Sequence, residues 1–477
     1  MSEVIGRESE KAELDRLMKS SLPELVVVYG RRRVGKTFLI RQQLAGSIVF
    51  ELTGLHNETL SRQLENFSIQ LSQYCRQEMP PVQSWLQAFG QLQTWLAKDR
   101  SKKRRVLFFD EFPWLATRRS GFLSAFESFW NKFASRDRRL VCVICGSAAA
   151  WMIQHVLNSK GGLHNRATAR MRLLPFSLSE TRQFLNYRGI KLPDFQIAQL
   201  YMAIGGVPHY LQRLEPGKSA AQNIDRLCFQ KDGLLTNEFS NLYQALFENA
   251  VLHENIIRAL ATRRKGLTRN ELSHLVAVPS GGTFTKALRE LAESGFIREQ
   301  PAYGKLRKDC QWRLVDEYSL FYLTWMESNR MSGSNVWLTK SAGLKYKSWC
   351  GYAFENLCQT HIPQIKQSLG ISGVLTEEAS WQHVAHSSVD EGAQIDLLID
   401  RSDHTINVCE MKFADAPFVI DKQYAKELSR KLSVFRGETQ TKKAIFLTLV
   451  TAHGLKPNIH SVETVTNEVT LTDLFNR

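Results

Sequence analysis

A glycine-rich segment near the start of the chain carries residue types that bind phosphate. It matches the complete P-loop pattern GxxxxGK[ST] and comprises Gly30, Arg31, Arg32, Arg33, Val34, Gly35, Lys36 and Thr37. The glycines let backbone N–H groups approach the phosphates, Lys36 reaches the outer phosphates, and Thr37 offers its hydroxyl to magnesium. An apolar run at 25–29 precedes the segment and a helical pattern at 38–44 follows it. The sequence therefore predicts a site for ATP and Mg²⁺.

Two acids and a serine lie at sequence positions where other residues of a nucleotide site are expected. Asp110 and Glu111 follow an apolar run at 106–109. Asp110 can help to hold the magnesium ion, and Glu111 can polarise the attacking water. Ser147 follows the apolar run 140–145 and would lie at the carboxyl edge of the sheet, beside the γ-phosphate. Helix N-caps use the same residue types, so both the acids and the serine have this structural alternative.

A second set of charged residues occurs near the C-terminus. The strand period of two places Glu410 and Lys412 on one face of a strand, and a turn at 401–404 would bring Asp396 within about a residue of facing Glu410. Two carboxylates can hold a magnesium ion that activates water against a phosphodiester, while Lys412 orients that water. Glu355, on an upstream helix, can support a second ion or the first ion's water. An amphipathic edge strand would carry the same charges, so spacing leaves both interpretations open.

The order of elements predicts a multidomain α/β protein. Strands at 25–29, 48–52, 106–109, 140–145 and 171–174 alternate with helices, which predicts a parallel sheet with helices on both faces over residues 1–190. Helical spacing then predicts a lid over 191–247, and three helices followed by a hairpin predict a winged helix over 248–330. Beyond a polar linker, helix and strand patterns predict a further α/β domain over 340–477.

The predicted winged helix offers two sets of polar side chains to DNA. Its third helix, expected at 283–294, would present Thr285, Lys286 and Arg289 to a groove. The wing would present cations to phosphates, namely Lys305, Arg307 and Lys308. Many winged helices pack against protein instead, so this pattern alone does not decide between the two roles.

Charge and composition agree with a partner that is a polyanion. The net charge is +15, and residues 331–477 contain 15 Lys and Arg against 16 Asp and Glu, so the excess lies in the first 330 residues. Basic clusters at 102–105, 136–139 and 263–265 suit a nucleic-acid surface, although a solvated face has the same composition. The polar N-terminus and the absence of an apolar run of about 20 residues predict a cytoplasmic protein with no membrane partner. The eight scattered cysteines predict free thiols and no structural metal.

Several motifs together resemble the archaeal-type AAA ATPases found in archaea and bacteria. The similarity extends to about residue 330 and is carried by 5–8, the P-loop, Asp110-Glu111, Gly146-Ser147, 173–176 and 205–210. It implies that Gly6, Arg7 and the segment ending in Pro208 lie near the adenine. It also implies a homo-oligomer in which Arg166 or Arg170 acts across a subunit boundary. An arginine at a sheet edge is, however, often a plain surface residue.

The C-terminal elements resemble the PD-(D/E)xK nuclease core, which implies a restriction-endonuclease-like domain. The matching segments are 351–357, 395–398 and 410–412, with Ile395 in place of the proline. The resemblance implies an ATP-driven enzyme that cleaves DNA with magnesium, in defence or genome maintenance. The competing hypothesis is an ATP-switched DNA-binding or signalling protein with an inactive nuclease-like domain. RNA fits these residues as well as DNA does.

Overall fold

The computed structural model describes residues 3–158, 163, 165–263, 265–305, 310–329, 333, 335–385 and 392–476. The chain divides into two compact units, Met1–Leu174 and Pro175–Arg477. Within the described ranges, no helix is long and apolar enough to cross a membrane. All eight cysteines are free, as predicted, and Cys142 and Cys145 are buried in a strand.

The first unit consists of alternating helices and strands. Its helices are α1 (Glu8–Lys19), α2 (Lys36–Gln43), α3 (Leu60–Cys75), α4 (Trp85–Lys98), α5 (Phe112–Leu115), α6 (Phe122–Lys132) and α7 (Ala149–Met152). Short 3-10 and π-helical turns cover Ala134–Arg136 and Ile153–Leu157. Its strands are β1 (Glu24–Tyr29), β2 (Ile48–Thr53), β3 (Arg105–Asp110), β4 (Leu140–Gly146) and β5 (Ala169–Arg172).

The strands form a parallel sheet in the order β2-β3-β4-β1-β5. Side chains alternate between its faces: Val27 belongs to the core beneath α3, α4 and α6, and Val26 to the core beneath α1 and α2. The predicted parallel sheet with helices on both faces is therefore confirmed. The last strand begins two residues earlier than predicted, because Ala169 and Met171 are its inward-facing residues.

Part of the basic surface predicted to bind a polyanion has a structural role. Arg105 is buried and forms ion pairs with Asp99 and Asp137, at 3.1 and 2.7 Å. Arg139 also pairs with Asp137, at 2.8 Å. Burial raises the pKa of Asp137, but the hydrogen bonds from Arg139 and the charge of Arg105 outweigh it and hold the pKa at about 2. These arginines stabilise the start of β3 and the turn before β4.

Replacing Asp137 by alanine should destabilise the first unit by about 3 kcal/mol, because it leaves the buried Arg105 with one exposed partner. Hydrogen exchange of the β3 amides measures this loss. Glu78→Ala, at an exposed position, is the matched control. In the wild type the contribution is present above pH 3.8 and is lost as the pH falls toward 2. Unchanged β3 protection in Asp137→Ala would contradict the assignment.

The second unit is mainly helical in its first half. Its helices are α8 (Leu178–Tyr187), α9 (Asp194–Ile204), α10 (Pro208–Leu211), α11 (Ala220–Cys228), α12 (Glu238–Gln244), α13 (Ala250–Ala261), α14 (Arg269–Val276), α15 (Gly282–Glu293), α16 (Glu317–Phe321), α17 (Val336–Lys340), α18 (Leu344–Thr360), α19 (Ile362–Ser368), α20 (Lys422–Thr439) and α21 (Ile459–Thr464). A π-helical segment covers Tyr322–Met326 and a 3-10 turn covers Leu471–Phe475.

Its strands form two sheets. They are β6 (Leu267–Thr268), β7 (Ile297–Gln300), β8 (Gln311–Leu314), β9 (Thr376–His383), β10 (Ala393–Arg401), β11 (Thr405–Lys412), β12 (Ala444–Thr451) and β13 (Asn467–Thr470). The smaller sheet is antiparallel with the order β6-β8-β7, and the larger is mixed with the order β13-β12-β11-β10-β9. The larger sheet packs α20 on one face and α18 on the other.

One hydrophobic core runs through the regions predicted as lid, winged helix and C-terminal domain, and a second core lies between the larger sheet and α20. The first core includes Tyr201 of α9, Leu288 of α15 and Phe354 of α18. The same core reaches the 3-10 turn Leu471–Phe475, where Arg182 of α8 stacks over Phe475 at 4.8 Å and donates a hydrogen bond to its carbonyl. The predicted boundaries at 247 and 330–340 thus do not separate independent cores.

One buried histidine links the first and later parts of this unit. His361 is 1% exposed; its Nε2 accepts a hydrogen bond from the Leu178 N–H at 3.0 Å, and its Nδ1 donates to the Leu357 carbonyl at 2.8 Å. Burial lowers the pKa of His361 to about 4. The imidazole is therefore neutral at pH 7, and its acceptor nitrogen fixes the start of α8.

Acidification should remove the stability that the neutral His361 contributes to this unit. Between pH 7 and 5 the unfolded histidine takes up a proton and the folded one does not, so the contribution of His361 to the free energy of unfolding should fall by about 2 kcal/mol, while the raised pKa of Glu355 acts in the opposite direction. Urea unfolding of the full chain at both pH values measures the change. His361→Gln should lack this component, whereas His460→Gln should retain it. Equal pH dependence in wild type and His361→Gln would overturn the prediction.

Candidate functional site

The P-loop connects β1 to α2 with a backbone that requires glycine at both ends. Gly30 has φ 149°, and a Cβ there would lie 2.2 Å from the Leu173 carbonyl oxygen. Gly35 has φ 90° and directly precedes α2. Lys36 and Thr37 are therefore the first residues of α2, where free N–H groups and the helix dipole favour phosphate.

The ammonium group of Lys36 is held at the centre of this loop. It donates hydrogen bonds to the carbonyls of Gly30 and Arg31, at 2.8 and 2.9 Å, and to Ser147 Oγ at 3.1 Å. Burial lowers the pKa of Lys36, and the nearby carboxylates of Glu111 and Asp110 oppose that effect. The side chain is thus a buried, pre-positioned cation at the mouth of an anion-binding loop.

The two acids and the serine complete one hydrogen-bonded network with the P-loop. Thr37 Oγ1 donates to Asp110 Oδ2 at 2.8 Å, and Ser147 Oγ donates to Glu111 Oε1 at 2.8 Å. Neither Glu111 nor Ser147 makes a side-chain helix cap, since α5 and α7 have no such bond. The structural alternative considered for these residues is therefore not observed. Ser147 instead links Lys36 to Glu111.

The strand order explains how these distant residues meet. Because β4 lies between β1 and β3, Ser147 at its carboxyl end lies between the P-loop and the acids that follow β3. A hydroxyl and a carboxylate are the oxygen ligands that Mg²⁺ prefers beside nucleotide phosphates, and Thr37 and Asp110 offer that pair. Glu111 has φ 46° and ψ 45°, a strained conformation of the kind found at functional sites.

The residues expected near the adenine and at a subunit boundary occupy different environments. Gly6 has φ 68°, and the buried Arg7 donates hydrogen bonds to the carbonyls of Val34 and Leu174, at 3.3 and 2.6 Å. Pro208 is buried at the start of α10 in the second unit. Arg166 and Arg170 are both exposed, and Arg170 lies on the edge strand β5.

Comparison with known proteins identifies this first site. Residues 5–214 match the family described as an ATPase domain predominantly from Archaea. Residues 5–214 form an archaeal-type ATPase domain. An uncharacterized protein of Methanocaldococcus jannaschii, MJECL04, is 21% identical over 431 residues, which cover 90% of this chain and 91% of that protein.

Two solved structures that match part of this chain are more distant in sequence. The Walker-type ATPase PABY2304 of Pyrococcus abyssi is 15% identical, with a TM-score of 0.48 and coverage of 67% of this chain and 96% of that one. The ORC2 protein of Aeropyrum pernix, in a complex with ADPNP and ADP, is 15% identical, with a TM-score of 0.41 and coverage of 72% and 96%. The match to the ATPase family ends at residue 214, so the C-terminal charged residues lie outside it.

The C-terminal acids meet where β10 and β11 end their pairing. The last register pair is Leu397 with Cys409, so Asp396 and Glu410 are the next residue on each strand. A bulge between Ile395 and Leu398, on the β9 side, interrupts the alternation of β10 at Asp396. Glu410 and Lys412 share the α20 face, while Cys409 and Met411 belong to the opposite core, as the strand period predicts.

Glu410 is buried and contacts several donors. Lys431 Nζ of α20 forms an ion pair with Glu410 Oε1, and the Tyr424 hydroxyl donates to Oε2 at 3.5 Å. Lys412 Nζ lies 4.0 Å from Oε2 and 5.0 Å from the Tyr424 ring centre. Sequence reasoning missed Lys431, although it lies seven residues after Tyr424 and hence on the same helical face.

Glu355 belongs to the same cluster and is approached by a buried arginine. Arg313 of β8, 3% exposed, lies 3.8 Å from Glu355 and donates to Asn356 Oδ1 at 3.3 Å. Burial raises the pKa of Glu355 to about 8; Asp396 and Glu410 act in the same direction, and Arg313 and Lys412 oppose it. Sequence reasoning missed Arg313, because strand β8 was read only as part of a wing.

The acids of this cluster are not arranged as a complete metal-binding site. Among the residues that the structure describes, no group of three or more His, Cys, Asp or Glu side chains is placed to hold a metal ion. Asp396 and Glu410 form a carboxylate pair at adjacent strand positions, and both raise the pKa of Glu355. The oxygen donor set suits Mg²⁺ in kind.

The predicted DNA-contacting residues lie on two surfaces. Thr285, Lys286 and Arg289 are exposed on α15; Lys286 approaches Glu290 at 3.7 Å, and Thr285 donates to the Gly281 carbonyl. Lys305 is exposed after β7, whereas Arg307 and Lys308 lie outside the described residues. The structure brings Lys305, but not the α15 residues, into the groove that contains Asp396.

Proposed function

We propose that this chain hydrolyses ATP in its first unit and cleaves DNA with magnesium in its second unit. The observation that carries the first part is the Lys36–Ser147–Glu111 network beside the Thr37–Asp110 pair. The archaeal-type ATPase domain supports the same activity. For cleavage, the support is the adjacency of Asp396 and Glu410 at the end of a strand pair, with Lys412 on the same face as Glu410.

In the first site the residues divide the work of phosphoryl transfer. Thr37 and Asp110 would hold Mg²⁺, which neutralises charge on the phosphates. The Lys36 ammonium stabilises negative charge that moves toward the leaving phosphate. Glu111 takes the proton of the attacking water, and the Ser147 hydroxyl fixes the direction of that carboxylate. Gly6, Arg7 and Pro208 would border the adenine, and Arg166 or Arg170 would complete the site of a neighbouring copy in a homo-oligomer.

In the second site the charged cluster would act on a phosphodiester. Asp396 and Glu410 would hold Mg²⁺, which supplies an activated water and polarises the phosphate. Lys412 orients that water and offsets the charge that grows on phosphorus. Glu355 accepts a proton or a water hydrogen bond, and Arg313 fixes its position. The region over 248–330 would bind the DNA as a winged helix, and the nuclease-like fold would cover 340–477.

Two observations favour a second candidate function. Lys431 already neutralises one oxygen of Glu410, and the described residues contain no ready three-ligand cage. Such an ion pair would suit an inactive nuclease-like domain in an ATP-switched DNA-binding or signalling protein. Both functions keep the ATPase site, so cleavage is the property that separates them.

Cleavage of linear and circular DNA by the purified chain, with Mg²⁺ and with or without ATP, tests the proposal. We expect nicking or cutting that requires Mg²⁺ and is abolished by EDTA. A parallel RNA substrate assigns the type of nucleic acid. ATP hydrolysis without cleavage under any of these conditions would favour the switch function.

A further inference from the structure

A groove lined by both polar and apolar side chains separates the β7–β8 hairpin from the C-terminal sheet. Its volume is about 640 Å³, and its lining includes Lys265, Lys305, Gln311, Gln382, Gln394 and Asp396. One end of the groove therefore contains an acid of the candidate cleavage site. Lys305 is a predicted wing residue, whereas Lys265 was noted only as a member of a basic cluster.

A second cavity continues the groove away from Asp396. Its volume is about 770 Å³, and it shares Lys265, Gln311 and Gln382 with the first. It adds Arg263, His274 and the acid Glu271 to the lining. The two cavities thus form one path whose outer part is bordered by exposed cations, Arg263 and Lys265.

The floor of the groove is fixed by bonds between the hairpin and the sheet. Ala302 and Ser380 form a parallel bridge, the Tyr303 N–H donates to the Ser380 carbonyl at 2.8 Å, and the Ser380 N–H donates to Pro301 at 2.9 Å. Gln300 Nε2 also donates to the Asp396 carbonyl at 3.1 Å. The hairpin and the acid therefore keep a constant separation, as guidance of a substrate requires.

The chemistry of the lining favours an unpaired nucleic-acid strand over a duplex. Exposed lysines attract backbone phosphates without regard to sequence. Amide side chains such as Gln311 and Gln394 offer both a donor and an acceptor, which match the base edges that only an unpaired strand presents freely.

We propose that this groove binds a single-stranded polynucleotide, with phosphates on Lys265 and Lys305, and directs it to Asp396. This inference rests on the proposed function, because the groove matters for cleavage only if Asp396 takes part in it. Binding without magnesium nevertheless tests the groove by itself. The groove, rather than the exposed face of α15, is then the main contact surface for an unpaired strand.

Fluorescence anisotropy of labelled oligonucleotides in EDTA, with the full-length protein, measures this binding. The probes are a single-stranded DNA, an RNA of the same sequence and the DNA duplex. The variants are Lys265→Glu, Lys305→Glu and, on α15, Lys286→Glu; Lys347→Glu, an exposed lysine of α18, is the charge-matched control. Urea unfolding of each variant checks that its second unit is folded.

Each groove variant should weaken single-strand binding about tenfold and lower the salt dependence of log Kd by about one. Lys347→Glu should change the Kd less than about twofold. The DNA and RNA probes show which sugar the groove accepts. A preference for the duplex, or unchanged binding in both groove variants, would overturn the proposal that the groove binds a single strand. Binding that depends on the groove lysines, without cleavage in Mg²⁺, would instead support the binding proposal and contradict the nuclease proposal.

Discussion

Lys36→Ala is expected to lower the kcat of ATP hydrolysis by at least about two to three orders of magnitude. The variant removes a buried ammonium that the P-loop carbonyls and Ser147 hold in place. It also removes a cation from the phosphate-binding loop, so the Kd for ATP should rise as well. Phosphate release measures the first effect, and calorimetric titration of ATP measures the second.

Glu111→Gln separates chemistry from binding in the same site. Glutamine keeps the shape of Glu111 but cannot take a proton from water, so turnover should fall while the Kd for ATP stays close to that of the wild type.

Lys19→Ala, an exposed lysine at the end of α1, is the matched control for Lys36. Turnover in Lys36→Ala at the wild-type rate would show that ATP is hydrolysed elsewhere or by a contaminant.

Glu410→Gln should reduce magnesium-dependent DNA cleavage about a thousandfold without a loss of ATP hydrolysis. The change removes one of two carboxylates that can hold the ion and weakens the ion pair with Lys431. Lys412→Ala should have a similar effect on cleavage, because it removes the cation beside Glu410. A supercoiled-plasmid assay over a range of Mg²⁺ concentrations measures both.

The choice of controls separates a damaged fold from a damaged site. Glu463→Gln replaces an exposed carboxylate on α21 and should leave cleavage unchanged. Lys431→Ala tests the ion pair: if Lys431 suppresses metal binding, the variant should need less Mg²⁺ for the same rate. Cleavage that persists in both Glu410→Gln and Lys412→Ala would move the active site away from this cluster.

Much of the ATPase site could be predicted from the sequence because its signals are local. The P-loop is continuous in sequence, and Asp110 is the last residue of a strand that is apolar enough to be recognised. The strand order was not predictable in this way, since it depends on how the helices pack. It is this order that brings Ser147 between Lys36 and Glu111.

In the C-terminal site, local sequence patterns predict only part of the arrangement. The period of β11 predicted that Glu410 and Lys412 share a face, and the short turn predicted the position of Asp396. The edge strands β9 and β13 were missed, because β9 mixes charged and polar residues on an edge and β13 has only four residues. Without β9, the bulge at Asp396 could not be anticipated.

Lys431 and Arg313 were missed for a related reason. Each contacts an acid that is far away in sequence, and only the packing of α20 and β8 in the second unit brings them together. The core that joins the predicted lid, winged helix and C-terminal domain has the same origin. An apolar pattern predicts which residues will be buried. It does not predict the helix or strand against which they pack.

The contact between Arg182 and Phe475 affects how the chain is made. On a ribosome, residues up to 174 can close their sheet while the remainder is still being synthesised. The second unit must wait until residue 475 has emerged, because its earliest helix packs against its last turn. During that interval its large apolar surfaces stay uncovered. Slow synthesis or high temperature should therefore penalise this unit first, and a chaperone that shields nascent chains should raise the yield of complete protein.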